Sequence, residues 1–140
     1  MPDARLPNNR MHKTPLIPEE FRQGAEQANM SPGIMSGDFV FVTGMTGSNP
    51  DGSMPGDHGS QFRNAFEKIL AVLEEAGLNF GAVVEMTSYH VGLRDHFEQF
   101  DEVRLEYFAK PFPAWTAVEV AGLRRDGAVV EIKVIARKPQ

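Results

Sequence analysis

A carboxylate inside an apolar run and a lone indole beside a second such run are the residues of this sequence best placed to do chemistry. Glu131 stands in "VVEIKVI", with Lys133 two positions on and Arg137 four beyond that. A carboxylate so placed must be exposed, paired with Lys133 or Arg137, or set over a cavity, because an unpaired buried charge is strongly disfavoured. Trp115, the single tryptophan, lies in "FPAWTAVEV". An indole with one N–H donor suits a core, a half-wet interface or the wall of a site.

Other familiar chemistries find no pattern. His12, His58, His90 and His96 sit in four different contexts, none spaced from another His or a carboxylate as metal ligands are, so no metal site is expected. The loop "GMTGSNPDG" has glycines but no Lys followed by Ser or Thr, which fails as a phosphate-binding loop, and no Gly-x-Ser-x-Gly elbow occurs. The chain has no cysteine, which removes disulfides and thiolate nucleophiles and suits a reducing cytosol.

The elements that must hold these residues fit one domain, since 140 residues with 41% hydrophobic content can build a core. A net charge of −5 argues against nucleic acid as a partner. No apolar run approaches a membrane span and no signal-peptide core is visible, so a soluble, cytoplasmic protein without membrane association is expected.

Residues 1–30 mix Pro, Asn and charge without period and read as an irregular N-terminal arm; residues 31–140 form the domain. "DFVFVTG" (Asp38 to Gly44) reads as a buried strand, and Met45 to Ser60 as one long turn-rich loop. Phe62, Phe66, Ile69, Leu70, Leu73 and Ala76 recur at helical steps ahead of Gly77, giving a helix of roughly four to five turns. "GAVVEMTSYHVG" is a further strand, and Phe97, Phe100, Tyr107 and Phe108 mark a second helix behind Asp95.

The last two strands read as a hairpin. A three-residue loop, Arg125 to Gly127 with Gly127 left-handed, pairs Val120 with Ile132, Val118 with Val134 and Thr116 with Ala136. Glu119 then faces Lys133, Arg137 lies opposite Trp115, and Trp115, Glu131 and Lys133 share one mixed face. The fold class is α+β, a mixed β-sheet with two helices packed on one face, and the mixed outer face suggests contact with another subunit.

Three segments, "SGDFVFVTGMTGSNPDG", "EAGLNFGAVVEMT" and "FPAWTAVEVAGLRRDGAVVEIKVIA", together resemble the RidA family, also called YjgF or L-PSP endoribonuclease-like proteins, from about Ser31 to Lys138. The resemblance implies a chorismate-mutase-like fold assembled as a homotrimer with small-molecule clefts at subunit interfaces. It also implies hydrolysis of imines or enamines to 2-oxo acids and ammonia, with no cofactor. That reaction needs a guanidinium to clamp the substrate carboxylate and a polar group to position water.

Carried over by position, the carboxylate falls on Glu131 and Thr43 with Gly44 match the cleft-lining pair. The family's arginine falls on Trp115, however, and an Asn common in the second helix falls on Asp101. Indole cannot replace a bidentate cation. Arg137 and Lys133 are the candidate compensating cations, but neither a lysine nor a displaced arginine reproduces the original fork geometry. Three readings follow: a hydrolase of an altered imine or enamine, with Trp115 stacking on its ligand; a small-metabolite binder without turnover; and, ranked last on charge, a ribonuclease.

Overall fold

The computed structural model describes residues 12–140. The helical apolar pattern becomes α2 (His58–Glu75), five turns capped by Asp57, whose carboxylate accepts from the Ser60 N–H at 2.8 Å. Its buried face carries Phe62, Phe66, Ile69 and Leu73. α3 (Leu93–Arg104) buries His96, Phe100 and Val103, so the two helices meet through aromatic edges; Phe62 and Phe100 lie 5.1 Å apart at 89°.

Six strands form one sheet beneath them: β1 (Thr14–Leu16), β2 (Gly33–Ser36), β3 (Phe39–Thr46), β4 (Val83–His90), β5 (Ala114–Glu119) and β6 (Val130–Arg137). Their order is β1-β2-β3-β6-β4-β5, with β4 and β5 parallel and the other pairs antiparallel. The α+β class and the mixed sheet agree with the sequence pattern.

The hairpin does not form as expected. β4 lies between β5 and β6, and residues 120–129 straddle its end: Val120 N–H donates to the His90 carbonyl at 2.8 Å, and Val91 N–H to the Val129 carbonyl at 3.0 Å. Gly127 is left-handed, as its turn chemistry suggests (φ 79°). Turn chemistry and alternation, however, state how a chain bends and which side chains alternate; they do not say which strand is the neighbour. Glu119 therefore does not face Lys133. Its carboxylate accepts from the N–H groups of Gly92 and Leu93 at 2.9 and 2.8 Å, which holds its pKa below the usual range.

Two further expectations change. Order begins well inside residues 1–30: β1 pairs with β2, a 3-10 turn spans Glu19–Phe21, and α1 (Arg22–Ala28) ends at left-handed Asn29. Residues 1–11 of the expected arm lie outside the described residues. The strand read as fully buried is only half so, with Val40 and Val42 at 0% and 3% exposure but Phe39 and Phe41 at 40% and 44%. Helices cover one face only, and Phe39 and Phe41 point away from them.

Candidate functional site

β3 and β6 build the first half of the site. Their register slips between Val42 and Met45, so Thr43 and Gly44 form a bulge before Thr46 pairs with Glu131. Gly44 is there because of the carboxylate. A Cβ at that position would stand 2.5 Å from Glu131 Oε2 and 2.9 Å from Cδ. Glu131 is half-buried between buried Val130 and Ile132, on the face opposite the helices. Lys133 shares that face and is exposed; Arg137 is exposed and its guanidinium lies 5.5 Å from the Phe39 ring.

Just behind the bulge, Lys68 of α2 donates to the Thr46 carbonyl at 2.8 Å and to Ser48 Oγ at 2.7 Å. Burial, aided by Arg125, pushes its pKa down to about 8.

Trp115 belongs to the other face. Paired with Met86 of β4, it turns toward α3, stacks parallel to Phe97 at 5.7 Å, and donates its indole N–H to Ser88 Oγ at 2.8 Å. Arg104 lies over its ring, the guanidinium carbon 4.4 Å from the centroid and 5.6 Å from that of Phe112. Arg104 Nε and Nη2 both donate to Asp101 Oδ1, at 2.9 and 2.6 Å. The two positions that depart from the family pattern, Trp115 and Asp101, are thus joined by one arginine.

Behind Trp115 runs a polar chain. Ser88 Oγ is 2.8 Å from His90 Nε2, and His90 Nδ1 is 3.0 Å from His96 Nε2. Ser88 and His90 are fully buried and His96 is 4% exposed. Desolvation lowers the His90 pKa to about 4, with His96 adding to the effect, and lowers that of His96 as well. His58 stands 5.5 Å from His96, ring to ring. Three of the four histidines expected in separate contexts, His58, His90 and His96, therefore meet, although among the described residues no three His, Asp or Glu converge as a metal site would require.

The sequence-derived residues divide into two groups. Thr43, Gly44, Glu131, Lys133 and Arg137 share one side of the sheet; Trp115 and Asp101 share the other. The expectation that Arg137 lies opposite Trp115 is overturned by β4, which separates their strands, and Arg104 is the cation found at the indole. Arg104 was missed although its spacing signals it: it follows Phe97 and Phe100 on one helical face, three residues after Asp101. Ser88 and His90 likewise alternate in step with buried Met86. One surface depression, of about 530 Å³, touches the first group only through Arg137 and is otherwise lined by residues such as Asn79 and Val84; another, of about 560 Å³ beside Met54, Arg124 and Arg125, includes no residue of either group.

A helix-backed mixed sheet, with a bulge-seated carboxylate on one face and an aromatic edge on the other, is the frame of a family. The family model described as Endoribonuclease L-PSP matches residues 22–138, and the chain belongs to that family, the RidA/YjgF group it resembles. RutC family protein YjgH from Escherichia coli (strain K12) is 38% identical over 131 residues, covering 93% of this chain and 98% of its own. A solved structure of the protein YjgH matches with a TM-score of 0.84 at 38% identity, covering 93% of this chain and 99% of its own. A protein of the same strain named 2-iminobutanoate/2-iminopropanoate deaminase is 32% identical over 108 residues, covering 74% of this chain and 83% of its own.

Proposed function

We propose that this protein is a cytoplasmic homotrimer whose small-molecule clefts form where the Glu131 face of one copy meets the β5 edge of the next. In this reading it is a cofactor-independent hydrolase of an imine or enamine other than the smallest 2-imino acids. The observation that carries the reading is the seating of Glu131 against Gly44 in the bulge. That carboxylate lies against the backbone of the bulge and has no hydrogen-bond or ion-pair partner among the described residues. Glu131 would accept a proton from water as the oxygen attacks the C=N carbon; the nitrogen takes up protons, the C–N bond breaks, and a carbonyl compound and ammonia leave. The deaminase relative favours this chemistry.

The altered substrate follows from Trp115, because an indole N–H spent on Ser88 cannot clamp a carboxylate. The test is ammonia release from freshly generated 2-iminobutanoate and from bulkier imines, for the wild type, Glu131→Gln and Trp115→Arg. Turnover of a bulkier imine that Glu131→Gln abolishes supports the reading. A wild type as fast on 2-iminobutanoate as Trp115→Arg removes the argument for an altered substrate. A second reading, a metabolite binder without turnover, is favoured by the missing clamp itself, and predicts that Glu131→Gln alters affinity with no ammonia released by any variant.

A further inference from the structure

Arg104 occupies an unusual position for a surface arginine. Its side chain is only 13% exposed, with the guanidinium carbon 4.4 Å from the Trp115 ring centroid and 5.6 Å from that of Phe112. Asp101 takes the Nε/Nη2 edge of the guanidinium through a single oxygen. Nη1 has no protein acceptor among the described residues, so the Nη1/Nη2 end of the fork is free to receive a second carboxylate. Around it, Phe97 of α3 and Phe112, just ahead of edge strand β5, are 38% and 44% exposed, an uncovered aromatic margin beside the free edge of the sheet.

We infer that Arg104 is the anion-binding residue of the proposed cleft, presented from α3 on the Trp115 platform, and that its ligand is a carboxylate attached to a planar or aromatic body. The inference rests on the reading of that cleft given above. The guanidinium holds the carboxylate end-on, while the body of the ligand lies along Phe112 and Phe97. Trp115 itself contributes an aromatic surface that orients the guanidinium. Asp101 anchors Arg104 and also offsets part of its charge, which sets the affinity below what a free guanidinium would give. A small aliphatic acid could use the charge but not the aromatic margin.

The test measures calorimetric binding of phenylpyruvate and 2-oxobutanoate to the full chain, with the mass in solution determined alongside. Expected are about tenfold tighter binding of phenylpyruvate than of 2-oxobutanoate and a loss of about tenfold or more in Arg104→Gln, with Arg104→Lys between. Asp101→Asn should tighten phenylpyruvate binding severalfold, a gain that a merely structural Asp101–Arg104 pair would not produce. Unchanged affinity in Arg104→Gln, weaker binding in Asp101→Asn, or no binding of either acid to the wild type overturns the inference. A trimer that binds both acids through Glu131 but ignores Arg104 would defeat this assignment alone; a monomer that binds neither defeats the cleft as well.

Discussion

Glu131 and Trp115 leave the sheet on opposite faces, with β4 between their strands: Tyr89 of β4 pairs with Glu131, while Met86 pairs with Trp115. Tyr89 and Met86 are an odd number of residues apart, and alternation sends their partners to opposite sides. No rotamer change brings the two side chains together within one copy. A cleft that uses both must therefore be built from two copies.

This arrangement predicts complementation. Glu131→Gln, without turnover, and Arg104→Gln, with weakened substrate binding, are mixed in equal amounts, unfolded and refolded together. About a quarter of the interfaces then join an intact Glu131 to an intact Arg104, and turnover at low substrate should rise above the average of the two variants refolded separately, toward about a quarter of the wild-type rate. Ammonia release measures it. No gain in the co-refolded mixture would place the two residues in separate sites.

Gly44 and Gly47 make opposite predictions three residues apart. A Cβ on Gly44 would meet the far end of the Glu131 side chain, which can swing away. Gly44→Ala should thus change stability by less than about 1 kcal/mol, yet weaken ligand binding about tenfold by displacing the carboxylate. A Cβ on Gly47 would run into the backbone of Gln61 in α2, which cannot yield. Gly47→Ala should cost about 3 kcal/mol. Urea denaturation and calorimetry on both variants separate the two effects.

Much of this architecture is legible in the sequence, and the part that is not has a definable cause. The α2 stripe from Phe62 to Leu73 has a single helical reading, and α2 forms on it. Helical and strand periods also give each side chain's alternation within its own element. Which strand neighbours which depends on β4 inserting between β5 and β6, and no local period encodes an insertion. That one long-range event placed Trp115 and Glu131 on different faces and moved the cation from Arg137 to Arg104. The family resemblance located Glu131, Gly44 and the substitution at Trp115, but a substituted position does not say which residue answers it.

Gln61 immediately precedes the apolar stripe that begins at Phe62, and it is 1% exposed. Its amide nitrogen donates to the carbonyls of Pro55 and Gly127 at 2.8 and 2.9 Å, and its oxygen accepts from Val129 N–H at 2.9 Å. One side chain thus ties the loop after β3 and the lead-in to β6 onto α2. Gln61→Leu keeps the volume but strands three backbone groups, so a loss of about 3 kcal/mol is expected. Hydrogen exchange at Val129 should accelerate along with it. A variant as stable as the wild type, with Val129 still protected, would refute this role.

The chain from Trp115 through Ser88 to His90 and His96 makes stability depend on acid. Burial, with the neighbouring His96 imidazole, pushes the pKa of folded His90 down to about 4 from the ordinary imidazole value of 6.5. Of the other groups facing the pair, His58 also opposes protonation of His96, while Glu119 and Asp95 favour it too weakly to reverse the direction. Between these pH values the unfolded chain binds a proton that the folded chain refuses. The depressed folded pKa means that full stability is present above about pH 6.5 and declines as the pH falls toward 4. For His90 alone the decline is about 1.4 kcal/mol per pH unit, or roughly 3 kcal/mol in all. Two protonated imidazoles 3.0 Å apart would also each present a proton to the other, which breaks the chain that holds Ser88 against the indole. Denaturation midpoints at pH 7.5, 6 and 5 should fall for the wild type and fall less steeply for His90→Asn, which keeps polar contacts but does not titrate. Trp115 fluorescence should shift in the wild type before global unfolding. Parallel slopes for the two proteins would assign the acid sensitivity to other groups.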